Sequence, residues 1–505
     1  QPTLVTTLDD SGPGSLREAL ADAAVNDTIH FAVSGTIALT SGELSVPSSV
    51  TLLGPGAGAL TVSGNNASRV FNVTGTNVTI SGLTIADGFT DQTGAGVYAA
   101  GGPGSVLTLS GCIITNNNAN DFGGGLYNSP GGTMTVSNCA IAGNSTTRSG
   151  GGIYNDTATL KVIASTLSGN SAIMGGDGGG ILNYAAPGQS ATLTVSGSTL
   201  SGNVAGLGGG IGNMGVGANA TAVVSASTFS SNVGPFGGGG IYNWGLFGIA
   251  TVEIGDTILN AGISGGNFYN DNGVVTSDGY NLSSDDGGGF LTATGDRVHT
   301  DPKLGPLQDN GGPTWTHALL AGSPALDNGK TNAVPALASA TDQRDLPRPV
   351  DNPYLANAAG GDGSDIGAYE VQGSGGYDID TDGLPDFWEL AWFGNLSQSG
   401  TDDSDGTGQN NLFKFTAGLD PTDPTSVFKL RIEAVAGQPN QRHLIFSPWA
   451  AGRTYTPQFT TNLAVTAFAP LTGYGGPTTN GTEVTITDPN AGVQQKFYRM
   501  QISVP

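Results

Sequence analysis

Residues 178–203 read GGGILNYAAPGQSATLTVSGSTLSGN, and this stretch decides the fold. Its first motif is three glycines, an aliphatic residue, any residue and an asparagine. Self-similarity at a fixed spacing predicts a solenoid in which each repeat forms one coil. The motif recurs every 27 to 30 residues, at Gly123–Asn128, Gly150–Asn155, Gly178–Asn183, Gly208–Asn213 and Gly238–Asn243.

The second half of each repeat alternates apolar residues with serine and threonine. It is clearest at Leu193–Asn203, and related stretches are Leu107–Asn117, Met134–Asn144, Leu160–Asn170 and Ala222–Asn232. Strict alternation predicts β-strands with one buried face, and these segments show no helical period. Because one coil cannot bury its apolar side alone, the coils are expected to stack into a parallel β-helix.

Stacking also explains which polar residues the repeats contain. Equivalent residues of neighbouring coils lie about 4.8 Å apart, so like charges would repel along a column. Asparagines stack favourably, because each amide can hydrogen-bond to the copies above and below. We therefore predict two asparagine ladders. One runs through Asn128, Asn155, Asn183, Asn213 and Asn243, and the other through Asn117, Asn144, Asn170, Asn203 and Asn232.

The two cysteines of the chain, Cys112 and Cys139, share one repeat position. They should therefore lie one coil apart, where later coils carry serine. In-register parallel neighbours suit disulfide geometry poorly. We favour buried free thiols, with a disulfide as the alternative.

The limits of the repeat pattern define the expected domains. Residues 1–25 form an N-terminal strand and a capping helix, and residues 26–372 form the β-helix, with regular coils at about 94–270. Residues 373–426 form an acidic linker segment. Residues 427–505 alternate short strands with Pro and Gly turns, which predicts a small C-terminal β-sandwich. We expect about twelve coils, and we interpret the stretch from Asn270 to about Glu370 as the last coils plus a C-terminal cap.

Three sets of motifs carry a family resemblance. The chain resembles bacterial surface β-helix proteins of the choice-of-anchor Q type at SGPGSLREAL, at the glycine-asparagine repeats and at DPKLGPLQDNGGPTWTHAL…AGSPALDNG…TDQRDLPRP…DIGAYE. The repeats are also similar to those of polymorphic outer membrane proteins. The resemblance covers residues 1–370. It implies an all-β, right-handed parallel β-helix of the pectate-lyase-like kind on an exported protein, and no defined activity.

The acidic linker segment contains a candidate calcium loop. Residues 378–389 read DIDTDGLPDFWE and match the D-x-D-x-D-G-x5-E pattern of an EF-hand-type loop, with Gly383 at the sharp turn. Hard oxygen ligands at this spacing favour Ca2+ over softer metals. The expected ligands are Asp378, Asp380, Asp382, the backbone carbonyl of Leu384, Asp386 (directly or through a water) and Glu389.

A second, altered copy of the loop follows at residues 403–414, DSDGTGQNNLFK. Thr407 replaces an expected aspartate, and Lys414 falls where a carboxylate is expected. The pair of loops is similar to thrombospondin type 3 calcium repeats found next to bacterial sorting domains. Whether the second loop holds Ca2+ is left open by these departures. Its candidate ligands are Asp403, Asp405, Thr407, Asn411, Asp420 and Asp423.

Composition narrows the partners and the location. The formal net charge is −24, with only 16 Lys and Arg residues and no basic patch, so nucleic acid and anionic membranes are poor partners. No apolar run is long enough to span a bilayer. Since Gln1 is not an initiator residue, we expect a mature chain that is secreted or displayed on a bacterial cell surface.

The sequence offers no evident active site. Polysaccharide hydrolases need two carboxylates at a set separation, and lyases need calcium with an Arg or Lys base. The four histidines are dispersed, and the set Asp342, Arg344, Asp345 and Arg348 is interpreted as a salt-bridged turn. We therefore predict no catalytic residues. The ionisable residues of the coils occupy different repeat positions: Asp121, Arg148, Asp156, Lys161, Asp177, Glu253 and Asp256.

Two functional hypotheses follow. The leading one is a structural or adhesive surface protein that self-associates head to tail, as in an extracellular fibre, or binds other cell-surface components. The alternative is a β-helix that binds or cleaves polysaccharide. A stripe of tyrosines at Tyr127, Tyr154 and Tyr242 could supply aromatic platforms for it, although a structural ladder of stacked rings is the favoured interpretation.

Overall fold

The computed structural model describes residues 3–320, 322–352, 355–372, 378, 382–464, 467–492 and 495–504, with the backbone alone at 387 and 390. The chain divides into two compact units, Gln1–Ser374 and Gly375–Pro505. The predicted calcium-binding linker therefore belongs to the same unit as the C-terminal sheets. No helix among the described residues has the length and apolar character needed to cross a membrane.

The first unit is a solenoid whose coils contribute strands to three parallel sheets, here named faces 1 to 3. Face 1 consists of Thr3–Val5, Asp27–Phe31, Val50–Leu53, Asn77–Ser81, Val106–Ser110, Thr133–Ser137, Thr159–Ile163, Ser190–Ser196, Asn219–Ser225, Ile249–Gly255 and Val274–Gly279. Face 2 consists of Gly35–Ala38, Leu60–Ser63, Thr84–Ala86, Ile113–Thr115, Ala140–Ala142, Thr166–Ser168, Thr199–Ser201, Thr228–Asn232, Ile258–Ala261 and Leu282–Ser283. Face 3 consists of Leu44–Val46, Phe71–Val73, Val97–Ala99, Leu126–Asn128, Ile153–Asp156, Ile181–Ala185, Ile211–Val216, Ile241–Leu246 and Phe268–Asp271. A short fourth sheet lies at one corner and pairs Phe89–Thr90, Asn118–Ala119, Ser145–Thr146 and Ser171–Ala172.

The alternation seen in the sequence sorts each strand into an inner and an outer side. In one coil Leu160 of face 1, Leu167 of face 2 and Ile153 of face 3 are all fully buried and belong to one continuous core. Their neighbours along each strand point outward, because successive side chains of a strand lie on opposite sides. The parallel β-helix predicted from the repeats is confirmed.

Both asparagine ladders are present. The first extends one coil beyond the prediction, to Asn270, and its side-chain amides donate to the next asparagine at 2.7 to 2.8 Å. In the second, the side-chain amide donates at 2.9 Å. There the backbone N–H of each asparagine also donates to the side-chain oxygen of the next one. Each interior member of this second ladder is thus bonded to both of its neighbours.

Both ends of the solenoid core are covered. At the start, helix α1 (Leu16–Asp22) is capped by Ser15 and buries Leu16, Ala19 and Leu20. At the other end, a 3-10 turn at Gly287–Gly289 brings Leu291 into the core and sets Phe290 5.7 Å from Phe268, centroid to centroid. The predicted N-terminal capping helix is confirmed.

Of the stretch expected to form the last coils and a C-terminal cap, Val274–Gly279 and Leu282–Ser283 do continue the coils, but residues 301–370, named the return segment, do not. They form an antiparallel pair, Leu304–Gln308 with Thr316–Leu319, and a 3-10 turn at Pro335–Leu337. The segment runs back along the outside of face 2, so the solenoid has about ten coils rather than twelve. In this segment few apolar residues alternate with polar ones, as is typical of a chain that runs over the surface.

A column of threonines on face 2 holds the return segment. Thr166, Thr199 and Thr228 occupy one repeat position in consecutive coils. The Thr166 hydroxyl donates to the carbonyl of Trp315 at 2.5 Å and the Thr199 hydroxyl to Gln343 Oε1 at 2.6 Å. The threonines that repeat in the sequence therefore serve as docking points, which the repeat pattern alone does not reveal.

The second unit combines two short helices with two antiparallel sheets. The helices are α2 (Asp386–Phe393) and α3 (Asn411–Ala417). One sheet orders Lys429–Val435, Gln438–Ser447, Glu483–Asp488 and Gly475–Asn480, and the other orders Ala469–Pro470, Thr454–Thr460 and Phe497–Ser503. Leu444 and Ile486 of the first sheet pack with Phe459 of the second in one apolar cluster. The predicted C-terminal β-structure is confirmed.

Candidate functional site

The first candidate calcium loop is closed by hydrogen bonds to its first carboxylate. Asp378 accepts the backbone N–H groups of Asp382 and Gly383, each at 2.9 Å, and Asp382 accepts that of Leu384 at 2.9 Å. Gly383 has φ +91°, a conformation that glycine adopts without strain. The loop therefore turns where the pattern places its glycine.

The other ligand positions of this loop are described in part. Asp386 and Glu389, at the ninth and twelfth positions, are fully buried at the start of α2, and Leu384 is buried as well. Asp380, at the third position, lies outside the described residues. Among the residues that are described, no group of three or more His, Cys, Asp or Glu side chains is close enough to hold a metal ion. The predicted ligand set thus stays a prediction.

The second loop has the same backbone frame. Asp403 accepts the N–H groups of Thr407 and Gly408 at 3.0 and 2.7 Å. In both loops, therefore, the first aspartate accepts from the residues four and five positions after it. Gly408 has φ +81°. Helix α3 begins at the ninth position, Asn411, just as α2 begins at Asp386. Over the residues that the structure describes, the two loops share the bonds to the first carboxylate, the glycine turn and the helix that begins at the ninth position.

The two loops differ at the twelfth position, which is Glu389 in the first and Lys414 in the second. Lys414 is 1% exposed and its ammonium donates to the carboxylate of Asp405, to the carbonyl of Ser426 at 2.9 Å and to that of Asp420 at 3.4 Å. Burial opposes ionisation of Asp405, but the hydrogen bonds from Lys414 and Thr407 outweigh it and lower its pKa.

The remaining candidates of the second loop are held in local turns. The carboxylate of Asp420 accepts from Thr422, that of Asp423 accepts from Thr425, and Asn411 donates to the carbonyl of Ser399 at 3.2 Å. Asp420 contacts the ammonium of Lys414 through its backbone carbonyl and not through its carboxylate.

A buried ion cluster joins the return segment to the solenoid. Arg348 pairs with Asp256 at 2.5 Å, donates to the carbonyl of Gly367 at 2.5 Å and lies 3.6 Å from the carboxylate of Glu370. Burial raises the pKa of Asp256 to about 7, although the charge of Arg348 opposes the shift. The sequence suggested no partner for Asp256. In the structure it is the solenoid residue of an ion pair with Arg348, which lies 92 residues further along the chain.

The predicted salt-bridged turn is present in part: Arg344 pairs with Asp342, whereas Arg348 pairs with Asp256 of the solenoid. Arg344 donates to Asp342 from Nε and Nη2 at 2.8 and 2.6 Å, and its guanidinium lies 3.7 Å from the centroid of the Tyr369 ring. Both members of the pair are buried. These charges are enclosed within the protein, which suits a structural role.

Of the ionisable residues on the coils, Glu253 gains a partner that the sequence did not suggest. Asp278 lies one coil further on along the same face. Partial burial and then the influence of the Glu253 carboxylate raise the pKa of Asp278 to about 6. The remaining ionisable residues of the coils stay apart from this pair or form local contacts, such as Tyr127 to Asp156 at 2.5 Å.

The tyrosine stripe is a buried column. Tyr127, Tyr154 and Tyr242 are 5 to 9% exposed, and the rings of Tyr127 and Tyr154 stack at 5.4 Å. Phe122 and Leu207 pack against the column from the turns. The structural interpretation of this stripe is confirmed, and the rings are not presented as open platforms.

A groove on face 2 lies next to the return segment. It has a volume of about 510 Å3. Its floor includes Ile113 and Ala140, which precede Thr166 in the threonine column, and its rim includes Trp315, with an indole that is 54% exposed. Ile113 and Ala140 carry no hydroxyl at the position that Thr166 occupies in the next coil. Cys112 and Cys139 are both free and buried, which confirms the predicted thiols.

Comparison with known proteins addresses the fold. A family model described as a right handed beta helix region matches residues 56–253. No curated protein gives a significant match to the chain. The match lies within the residues that form the three parallel faces, so the solenoid is a right-handed parallel β-helix.

Proposed function

We propose that this chain is a structural or adhesive protein of the bacterial exterior, in which the solenoid serves as a rigid shaft and carries no catalytic group. One observation carries the proposal: the two asparagine ladders and the threonine column of the shaft are occupied by hydrogen bonds within the protein. The asparagine ladders are buried and bonded from coil to coil, and the threonine column is occupied by the return segment. Such a shaft transmits force and spaces its ends, but offers little reactive chemistry.

Calcium binding at residues 378–389 is part of this proposal. The turn at Gly383, the bonds received by Asp378 and the buried acids at the ninth and twelfth positions support it. Extracellular calcium modules bind with Kd values of about 10⁻⁴ to 10⁻³ M, which suits a protein outside the cell. Bound calcium would neutralise the carboxylates and fix the fold of this loop.

We propose that the chain either self-associates head to tail or binds other cell-surface components. Helix α1 and Leu291 cover the two ends of the core. The end coils therefore do not need to pair their strands with those of another copy. Contacts between copies would have to use the outer surfaces of these caps or the second unit.

The experiment is sedimentation velocity and negative-stain electron microscopy of the full chain, with 2 mM CaCl2 and with EGTA. We expect calcium-dependent oligomers or filaments. A chain that stays monomeric in calcium at high concentration would exclude the fibre, and calcium binding is scored separately by titration of Asp378→Asn and Asp382→Asn variants, with Asp309→Asn as the control.

A second candidate function is polysaccharide binding, and the groove beside Trp315 favours it. Its lining contains no charged side chain, and pockets of about 300–1,000 Å3 suit small ligands. An exposed indole next to small and hydroxyl-bearing residues is a surface on which a neutral sugar ring can stack. The backbone carbonyl of Trp315 accepts from Thr166 and Gln343, so the main chain that carries the indole is fixed in place.

Affinity electrophoresis in gels that contain a neutral glucan or polygalacturonate tests this candidate. We expect the neutral polymer to retard the chain and Trp315→Ala to abolish the retardation. Trp449→Ala, a change at a comparably exposed tryptophan of the second unit, is the matched control. Equal mobility in all gels would reject the binding, and release of reducing or unsaturated ends would instead point to cleavage.

A further inference from the structure

We infer that the ammonium of Lys414 takes the place of the metal ion in the second loop, so that this unit holds one exchangeable calcium and one built-in cation. The inference rests on the proposed calcium site of the first loop only for the number of ions bound. It answers the question that Thr407 and Lys414 left open in the sequence.

The first step is the equivalence of the two loops. The bonds from the fifth and sixth positions to the first carboxylate are the same in both, to Asp378 and to Asp403. Each loop continues into a helix that begins at its ninth position. Position twelve is therefore comparable between the loops, and it holds Glu389 in one and Lys414 in the other.

The second step is the environment of the Lys414 ammonium. Its three donors meet three oxygens, from the Asp405 carboxylate and from the carbonyls of Asp420 and Ser426. An oxygen cage made of carboxylate and backbone carbonyls is also what a hard cation requires. The carboxylate of Asp405 stands at the third loop position, so the lysine uses an oxygen that calcium would use.

The third step is the absence of solvent. The side chains of Lys414 and Asp405 are each 1% exposed. Removing one partner from a buried ion pair leaves an uncompensated charge, which is strongly unfavourable. A calcium ion could bind Asp405 only if the ammonium moved away, and two cations would then compete for one cage.

The oxygen cage around the Lys414 ammonium can close without a metal ion because the segment that follows α3 supplies part of it. The two carbonyls come from residues after α3, and the segment is held by the bond from the Asp420 N–H to Ser426 Oγ at 3.0 Å. The lysine thus ties the loop, the helix and the following turn together. The second loop keeps its fold at any calcium concentration, whereas the first depends on the ion.

The decisive experiment counts bound ions by native mass spectrometry and calcium titration. We expect one ion in the wild-type chain and two in Lys414→Glu, which restores the carboxylate at the twelfth position. Lys429→Glu makes the same change of charge at an exposed site of the same unit and should leave the count at one. Two ions in the wild-type chain, the second lost in Asp403→Asn, would overturn the inference.

Hydrogen exchange separates this inference from the calcium proposal and covers the case in which Lys414→Glu does not fold. The amides of Thr407 and Gly408 should stay protected in EGTA in the wild-type chain, even if the first loop proves to bind no calcium. In Lys414→Met they should lose at least tenfold protection, while Lys429→Met should leave them unchanged. Exchange of these amides that responds to EGTA in the wild-type chain would contradict the inference.

Discussion

The coils of the solenoid and the return segment use polar side chains in opposite ways. The coils repeat neutral amides and hydroxyls, such as Asn144 and Asn170, which bond to copies of themselves. The return segment concentrates unlike charges, and Arg348 meets the buried acids Asp256 and Glu370. A column of equal residues excludes charge because like charges would be stacked about 4.8 Å apart, whereas a segment that occurs once can pair opposite charges.

The difference also concerns how stability is distributed. In a stack of coils each interface adds a similar contribution, so one coil depends on its neighbours. The return segment depends on a few contacts at Thr166, Thr199 and Asp256. Substitutions in the two regions should therefore differ in size and in how far their effects spread.

The largest effect is expected when the buried cation of the return segment is removed. Arg348→Met leaves Asp256 and Glu370 buried without their cation, which should lower the free energy of unfolding of the first unit by about 3–5 kcal/mol. Urea unfolding followed by circular dichroism measures it. Arg148→Met is the control, since Arg148 pairs with Asp121 at the surface at 3.2 Å and should lose under about 1 kcal/mol.

Equal losses in the two variants would contradict the contrast between the regions. If Arg348→Met does not accumulate as folded protein, Arg348→Lys keeps the charge and gives a smaller, measurable loss. It cannot reproduce the guanidinium's bonds to both Asp256 and the Gly367 carbonyl.

A ladder asparagine in the middle of the shaft should come next. Asn170→Ala removes bonds to Asn144, Asn203 and the Ile141 carbonyl in a buried site, and should cost about 3 kcal/mol. Asn270→Ala, at the partly exposed end of the other ladder, should cost about 1 kcal/mol because water can replace the bonds. Thermal unfolding of both variants gives the comparison, and equal costs would mean that the ladders do not depend on burial.

The repeats made the shaft predictable. Strand direction, the ladders and the buried thiols follow from one rule, that equivalent residues stack, and the sequence displays those residues at regular spacing. Asp256 and Thr199 illustrate what the rule misses. Their partners, Arg348 and Gln343, stand 92 and 144 residues away and outside the repeat, so no local pattern announces the contact.

The candidate sites were predictable to different degrees. The spacing of acids announced both calcium-type loops, because each position of that loop has a fixed role. The pattern could flag Lys414 only as a departure, since the carbonyls that receive its ammonium come from backbone near Asp420 and Ser426. The groove beside Trp315 was invisible, because it exists where Ile113 and Ala140 interrupt a column of threonines.

A third test uses pH on a surplus carboxylate of the return segment. Burial, and then the charges of Asp365 and Asp351, raise the pKa of Asp327 to about 7. An unfolded aspartate titrates near pH 4, so the folded state holds an extra proton between about pH 4 and 7 and stability falls as the pH rises through that window. Asp327→Asn should unfold at nearly the wild-type temperature at pH 4.5 and be about 2 kcal/mol more stable at pH 8.

Asparagine also tolerates the backbone at position 327, which has φ +52°. Asp309→Asn, at an exposed turn of the same segment, is the control and should not change the slope of stability with pH. A variant at position 327 that is less stable than the wild type at pH 8 would show that the carboxylate is charged and stabilised there.

The smallest effect should come from the threonine column, where the two regions meet. Thr199→Val keeps the shape of the side chain but removes the donor to Gln343 Oε1, which is buried, and should cost about 1 kcal/mol. Thr194→Val, on face 1 of the same coil, should be neutral. Hydrogen exchange should show the loss as faster opening of the return segment with unchanged coils, because the bond belongs to the contact between them. Equal loss of protection in the coils would mean that the segment and the shaft unfold as one body.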